Sequence, residues 1–284
     1  MTTNRELRDR PIQYNVAGEE DSVSANATAV LQTADADKKA LKAIALGKKW
    51  QNASELVFGR IVSSLRPARP SRPVLLAPGK VPRRRINRGT KGRIALLHAI
   101  AHIELNAIDL ACDMIVRFVP SEDLPDAFAR DWIRVAADEA RHFRLLNSRL
   151  ADLGASYGDL PAHDGLWEAA ENTAHNLRAR LAIVPLVLEA RGLDVTPMMV
   201  EKLRSVEDDE SADILDVIHR DEITHVAAGQ RWFQFLCARD GREPEAEFHY
   251  CVRHYFKGEL KPPFNVVSRQ AAGMPRAYYD VLET

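Results

Sequence analysis

Two short segments of the sequence contain residue types that bind metal ions in proteins. They read Asp-Glu-Ala-Arg-His at 138–142 and Asp-Glu-Ile-Thr-His at 221–225. In each segment a glutamate precedes a histidine by three residues, so on a helix both side chains lie on one face and can bind the same ion. A single Glu-x-x-His arises often by chance, whereas its repetition in the second half of the chain favours metal binding.

A further glutamate lies on the predicted helix before each motif. Glu104 precedes the first motif and Glu189 the second, and both interrupt rows of apolar residues at helical spacing. An isolated carboxylate is costly to bury, so such groups are normally paired, protonated or bound to metal. One Glu from each of two helices and Glu-x-x-His from each of two others is the arrangement of dimetal carboxylate bundles. We therefore predict a two-metal site with these ligands: Glu104, Glu139, His142, Glu189, Glu222 and His225.

The predicted ligands also narrow the choice of metal. Carboxylates with two imidazoles and no thiolate suit iron or manganese, so we predict two iron ions, with Mn/Fe or Mn/Mn pairs as alternatives. An aspartate precedes each motif glutamate, and a ligating imidazole usually donates its other N–H to a carboxylate. We predict that Asp138 accepts from His225 and that Asp221 accepts from His142. A buried ion-pair network through arginines is the structural alternative, and it would have to neutralise four inward carboxylates.

Long segments with helical periodicity carry these residues, and Gly and Pro cluster between them. Strand-like alternation is nearly absent, so we predict an all-α chain, an up-down four-helix bundle with a long crossover and extra N-terminal and C-terminal helices. Asp164 and Asp208 are predicted helix caps, and Gly154, Gly192 and Gly241 predicted helix ends. The bundle helices are predicted at 92–118, 125–153, 164–191 and 209–238, with further helices at 35–65, from Thr196–Pro197 and at 244–258.

The third bundle helix contains a proline one turn before Glu189. Pro185 removes a backbone hydrogen bond, so we predict a kink or a π turn at this point. Such a distortion would either widen access to the metals or only accommodate packing.

The predicted helices divide the chain into four parts. Residues 1–25 are predicted to be a flexible segment, and 26–91 an N-terminal helical region with a connector rich in Pro and Arg. Residues 92–240 are the predicted dimetal bundle, and 241–284 a C-terminal helix and tail.

The connector has a strong local charge. Between Arg66 and Arg93 it contains basic residues and no acidic one. A phosphate-rich partner such as tRNA would be attracted to it. The alternative is a strap whose arginines pair with acidic helices of the same chain or of a second subunit. The residues predicted to contact nucleic acid or another partner are Arg83, Arg84, Arg85 and Arg88.

Composition limits the classes of protein to consider. The 284 residues are 46% hydrophobic and 28% charged, with a formal net charge of -1, as in a soluble globular protein. The cysteines, Cys112, Cys237 and Cys251, lie far apart, which argues against disulfides and against a thiolate zinc site. We expect no signal peptide and no apolar run of roughly 20 residues that could cross a membrane. The predicted location is the cytoplasm.

Several segments together resemble a known family. The two motifs, with IELNAIDLA at 103–111, LEARGLD at 188–194 and HRDEITHV at 219–226, resemble a bacterial ferritin-like family catalogued as domain of unknown function 455, over about residues 40–265. This resemblance implies the ferritin-like di-iron superfamily and a relation to the tRNA-modifying di-iron hydroxylases.

Two functions are compatible with a dimetal site of this kind. The first is an oxidoreductase that activates O2 to oxidise or hydroxylate an unidentified substrate, either a small molecule or a modified tRNA nucleoside, with an electron-donor protein as a further partner. The alternative is iron handling, by storage or by peroxide detoxification, without an organic substrate. Storage usually needs a compact bundle that assembles into a shell, and the extra segments argue for a monomer or homodimer instead.

Overall fold

The computed structural model describes residues 21–59, 66–81 and 89–280. The prediction of an all-α chain is confirmed, because 70% of the structure is helix and the described residues form no strand. Among the described residues, the one β-type backbone pairing is an isolated bridge between Leu75 and Ala162. Two compact units contain the described residues: the first lies within Met1–Arg85 and Thr90–His163, and the second within Ile86–Gly89 and Asp164–Thr284. The four-part division of the sequence stays a prediction.

The described residues of the first unit form four α-helices and a short 3-10 helix, Pro78–Lys80. The predicted helices 92–118 and 125–153 are confirmed with small shifts, and the first of them ends in a π-helical segment, Met114–Phe118. The helix predicted at 35–65 ends much earlier, at Trp50, because residues 51–59 turn back and the Val57 carbonyl accepts a hydrogen bond from the Val23 amide (2.8 Å). The helices are α1 (Val23–Leu31), α2 (Ala36–Trp50), α3 (Thr90–Asp113) and α4 (Asp126–Asp152).

Helix α1 begins inside the segment predicted to be flexible. The side chain of Ser22 accepts a hydrogen bond from the Ala25 amide (3.1 Å) and so caps the helix. Trp50 donates to the side chain of Asn26 (2.8 Å), which ties the end of α2 to α1. These contacts give residues 22–25, which were predicted to be flexible, a fixed place at the start of a helix.

Helices α2 and α4 pack antiparallel at close range. A Cβ atom at Gly47 would lie 2.6 Å from Cβ of Ala137, and at the other end Asn147 donates to Asp37 (3.2 Å). Only glycine allows the two backbones to approach this closely at position 47. Helix α4 is thereby fixed between α2 and α3, which places Glu139 and His142 inside the unit.

A buried charged cluster lies where α2, α3 and the connector meet. Lys39 forms an ion pair with Asp109, and both side chains are fully buried. Arg69 of the connector also pairs with Asp109 (3.1 Å) and donates to Asn106 (2.7 Å). For Arg69, the structure agrees with a strap whose arginine pairs with an acidic helix of the same chain.

Some helices of the second unit begin and end at other residues than predicted. The helix predicted at 164–191 is interrupted at 173–176, where Asn176 caps a new helix by accepting from the Ala179 amide (3.0 Å). The helical course then continues through Gly192, where a helix end was predicted, and through Pro197, where a new helix was predicted to begin. The elements are α5 (Gly165–Asn172), α6 (Leu177–Ile183), a π-helical segment (Val184–Glu189), α7 (Ala190–Arg204), α8 (Asp209–Arg239), α9 (Pro244–Tyr255) and α10 (Val266–Ala271).

Burial explains why α7 continues past these breakers. Leu193, Val200 and Leu203 are buried and α7 packs on α8, so tertiary packing outweighs the local preference. Other predictions in this unit are confirmed. Asp208 caps α8 by accepting from the Ser211 amide (3.2 Å), and Gly241 follows α8 with a φ of 64°.

The distortion predicted at Pro185 is a π turn. The segment Val184–Glu189 is π-helical and contains Pro185 near its start. Proline cannot donate to the helix and its ring crowds the carbonyl one turn earlier, and a wider turn relieves both problems. Pro185 also packs against α8, where a Cβ atom at Gly229 would lie 2.5 Å from Cβ of Pro185.

One helical stretch differs from the membrane expectation. Among the described residues, Thr90–Phe118 is long and apolar enough to cross a membrane by length and composition, although no such stretch was expected from the sequence. Its apolar window is 72% buried inside the structure, as in the core helix of a protein that does not span a membrane.

Candidate metal centre

The first unit brings three predicted ligands together. Glu104 of α3 meets Glu139 and His142 of α4, and each offers a ligand atom within 4.8 Å of the others. The Nδ1 atom of His142 lies 3.1 Å from Oε2 of Glu104 and 3.5 Å from Oε2 of Glu139. All three side chains are buried. Residues from two neighbouring helices therefore form one compact set of oxygen and nitrogen donors.

Regular helix geometry explains this set. Glu139 and His142 are three residues apart, so they point from the same face of α4. Glu104 lies on the buried face of α3 with Ala101 and Ile108, which are fully buried. That face packs on α4. The Glu104 carboxylate therefore has apolar neighbours on α3 and faces Glu139 and His142 on α4.

The charges in this cluster favour a cation. Burial raises the pKa of Glu104 well above its usual value, and the neighbouring Glu139 carboxylate raises it further, while a hydrogen bond from His142 opposes the shift. A divalent ion among these donors would replace the proton and neutralise both carboxylates. Hard carboxylate oxygens with imidazole nitrogen fit iron or manganese, so the donor chemistry is compatible with the predicted metals.

The second unit holds the other predicted ligands. Glu222 and His225 share one face of α8, with Nδ1 of His225 3.7 Å from Oε2 of Glu222. Both are buried, and Glu189 is partly exposed at the last position of the π-helical segment. The prediction that all six residues bind one pair of ions combines ligands of both units, and it stays a prediction.

Of the two aspartates predicted to accept hydrogen bonds from the histidines, the structure shows the surroundings of one. Asp138 is buried and accepts from Arg141, with Nη2 2.6 Å from Oδ1. Arg141 thereby orients the aspartate that precedes Glu139. The predicted bonds from His225 to Asp138 and from His142 to Asp221 pair residues of different units and stay predictions. The predicted partner-contact residues Arg83, Arg84, Arg85 and Arg88 lie outside the described residues.

A second polar network adjoins the first ligand set and was not predicted. His102 lies on α3 one turn before Asn106, and its Nδ1 is 2.8 Å from the Tyr157 hydroxyl. Its Nε2 is 3.0 Å from the His163 carbonyl, so Nε2 carries the proton and Tyr157 donates to Nδ1. Burial lowers the pKa of His102 to about 4, which keeps the ring neutral. Tyr157 and His163 are distant from His102 in the sequence, so helical spacing alone could not indicate these contacts.

Comparison with known proteins places the chain in a family. No solved structure matches it. An uncharacterized protein of Haemophilus influenzae is 44% identical over 215 residues, which are 74% of this chain and 74% of that protein. The family described as "Protein of unknown function (DUF455)" matches residues 32–280, a range that includes all six predicted ligands. The chain therefore belongs to the DUF455 family of proteins of unknown function.

Proposed function

We propose that this protein is a cytoplasmic dimetal-carboxylate oxidoreductase that uses two iron ions and O2 to oxidise or hydroxylate an organic substrate. The observation that carries the proposal is the buried cluster of Glu104, Glu139 and His142, whose donor atoms lie within 4.8 Å of one another. Two acidic side chains and an imidazole so close together in an apolar interior are costly unless a proton or a cation joins them.

The repeat of the motif supports two ions rather than one. Glu222 and His225 repeat the spacing of Glu139 and His142 on another helix, and Glu189 lies one helical stretch before them, as Glu104 does before Glu139. Such a repeat is the ligand scheme of ferritin-like bundles, so we propose that fold for the helices that carry the six ligands. Mn/Fe and Mn/Mn pairs satisfy the same donors.

Each residue of the first set has a distinct part in this proposal. Glu104 releases its proton when a cation enters, and Glu139 and His142 supply the other two donors. Asp138, fixed by Arg141, stiffens the start of the motif, and the buried side chains around it exclude water. Bound iron would supply the electron transfer to O2. The substrates we propose to test are small molecules and modified tRNA nucleosides, with an electron-donor protein as the reductant.

The test is anaerobic Fe(II) titration of the full-length protein, with metal content measured by mass spectrometry. We expect two ions per chain in the wild type. The variants Glu139→Gln and His142→Ala should lose bound iron, whereas the exposed controls Glu201→Gln and His254→Ala should keep it. A wild type that binds no iron or manganese, or variants that bind as much as their controls, would contradict the proposal.

Exposure of the iron-loaded protein to O2 distinguishes an oxidoreductase from an iron-handling protein. An oxidoreductase should keep two irons per chain and, with ascorbate as the reductant, consume O2 repeatedly and faster than the Glu139→Gln variant does. Iron storage should instead accumulate many Fe(III) ions per chain in a large assembly, which light scattering would detect. Accumulation of that kind would replace the oxidoreductase proposal with iron handling.

A further inference from the structure

The C-terminal strap, residues 261–279, is fastened to α7 by a buried arginine. Arg269 donates from Nε to Oδ1 of Asp194 (2.8 Å) and from Nη2 to Oδ2 (2.7 Å). Both side chains are almost completely buried. The guanidinium also lies against two neighbouring rings, 5.1 Å from the centre of Phe264 and 4.7 Å from the centre of Tyr279. This two-pronged bond in an enclosed setting fixes the strap in one position on the helix.

More bonds join the strap to the beginning of α7. The Asn265 amide donates to Oδ1 of Asp194 (2.9 Å), and its side chain donates to the Leu193 carbonyl (3.1 Å). Arg269 also approaches the carbonyl of Ala190 (3.5 Å), the residue that follows Glu189. The strap therefore contacts the stretch of α7 that begins directly after a predicted metal ligand.

The same strap reaches helix α8. The Oγ atom of Ser268 lies 3.2 Å from Nε2 of His219. His219 is one turn before Glu222 on α8. Adjacent strap residues, Ser268 and Arg269, thus connect α8 to α7 near two predicted ligands of the second unit.

A second fastening point lies on the other side of these ligands. Pro185 of the π-helical segment packs against Gly229 of α8. Pro185 is one turn before Glu189, and Gly229 is one turn after His225. Asp194 follows Pro185 along the chain, and Glu189 lies between them. The ligands of the second unit therefore lie between two fixed points that hold the two helical stretches antiparallel.

We infer that Arg269 is a positioning residue that, through Asp194 and Ser268, sets the register of Glu189 against Glu222 and His225. The inference rests on the proposed dimetal function. The π-helical segment lacks some of the regular hydrogen bonds of an α-helix, so its backbone alone does not fix the position of Glu189. A contact from outside the helix is therefore needed to fix it. Lysine cannot replace Arg269, since its single ammonium cannot form two parallel hydrogen bonds to the two oxygens of Asp194.

The experiment is Co(II) titration of the full-length protein, with the visible d–d absorption recorded as a measure of coordination geometry. Arg269→Lys keeps the positive charge and loses the two-pronged bond. We expect it to weaken binding of one Co(II) ion by about tenfold or more and to change the d–d bands, while far-ultraviolet circular dichroism stays the same. Ser268→Ala, a milder change, should act in the same direction by a smaller factor.

The matched control is Arg276→Lys, in the same strap but exposed and paired with Asp280. It should leave Co(II) affinity and spectrum at the wild-type values. If Arg269→Lys lowers only the melting temperature and keeps wild-type affinity and spectrum, Arg269 is a structural residue and the inference is wrong. If the wild type binds no Co(II), Fe(II) or Mn(II), the proposed function and the inference both fail.

Discussion

Nδ1 of His142 lies 3.1 Å from Oε2 of Glu104, so an imidazole of α4 is hydrogen-bonded to a buried carboxylate of α3. The same nitrogen is 3.5 Å from Glu139. A histidine that turns one nitrogen toward two buried acidic groups is compatible with the proposed metal site, and this contact joins α3 to α4 as the predicted ligand set requires.

The first prediction concerns Glu104. Glu104→Gln keeps the shape of the side chain and removes one of two adjacent buried acidic groups. We therefore expect the metal-free free energy of unfolding to change by no more than about 1 kcal/mol. The wild type should gain about 2.7 kcal/mol at a metal concentration of 100 times Kd, and the variant should gain much less. Urea unfolding with and without Mn(II) measures both, and equal gains in the two proteins would rule out Glu104 as a ligand.

The second prediction concerns the buried ion pair of Lys39 and Asp109. Burial lowers the pKa of Lys39 and raises the pKa of Asp109, in each case against the attraction of its partner. Lys39→Met leaves Asp109 with Arg69 alone and should lower the free energy of unfolding by about 3 kcal/mol. Lys38→Met, its exposed neighbour on α2, should change it by less than about 0.5 kcal/mol. Urea unfolding compares them, and similar losses would show that the buried pair is not what stabilises this region.

The third prediction concerns the contact of α2 with α4. Gly47→Ala would bring a methyl group within 2.6 Å of Cβ of Ala137, so it should destabilise the protein by about 1–3 kcal/mol. Adding Ala137→Gly removes the clash and should restore part of that loss. Gly192→Ala in α7 has open space around the new methyl and should be neutral or slightly stabilising. Thermal unfolding of the set tests the argument, which fails if the double variant is less stable than Gly47→Ala.

The fourth prediction concerns the thiols of the second unit. Burial raises the pKa of Cys237 and of Cys251 to about 12. In the folded protein at pH 8 almost no thiolate is present, so iodoacetamide should alkylate both residues at least about a hundredfold more slowly than in guanidinium, where the ordinary pKa is near 8.5. Intact-mass measurement follows the reaction, and fast labelling of the native protein would contradict the burial of these thiols.

The raised thiol pKa values also give a pH dependence of stability. Each group is more firmly protonated in the folded state, so its contribution is complete below about pH 8.5 and is lost as the pH rises toward 12. Cys237→Ala/Cys251→Ala should therefore lose less stability than the wild type between pH 8.5 and 10.5. Identical losses over that range would mean that the folded thiols ionise at ordinary pH.

Local patterns in the sequence predicted the elements that local forces decide. The spacing of Glu139 and His142 and of Glu222 and His225 follows from 3.6 residues per turn, which needs no tertiary contact. The cap at Asp208 and the helix end at Gly241 also depend on neighbouring residues alone. Pro185 indicated a distortion for the same reason, since its missing N–H is a property of the residue itself.

Tertiary packing decided the rest. Gly192 and Pro197 predicted breaks that the packing of α7 on α8 overrides. Lys39 has the sequence context of an exposed lysine, and it is buried because Asp109, far along the chain, lies opposite it. The bond between Asp194 and Arg269 likewise depends on where the C-terminal strap returns.

The sequence by itself determined which ligand types lie together on each helix, because helical periodicity is a local property. Only the tertiary structure decided that Glu104 meets Glu139 and His142 and that Arg269 fastens the helix after Glu189. Those contacts join residues distant in the chain, and they form only where the apolar faces of the helices pack and fix one register.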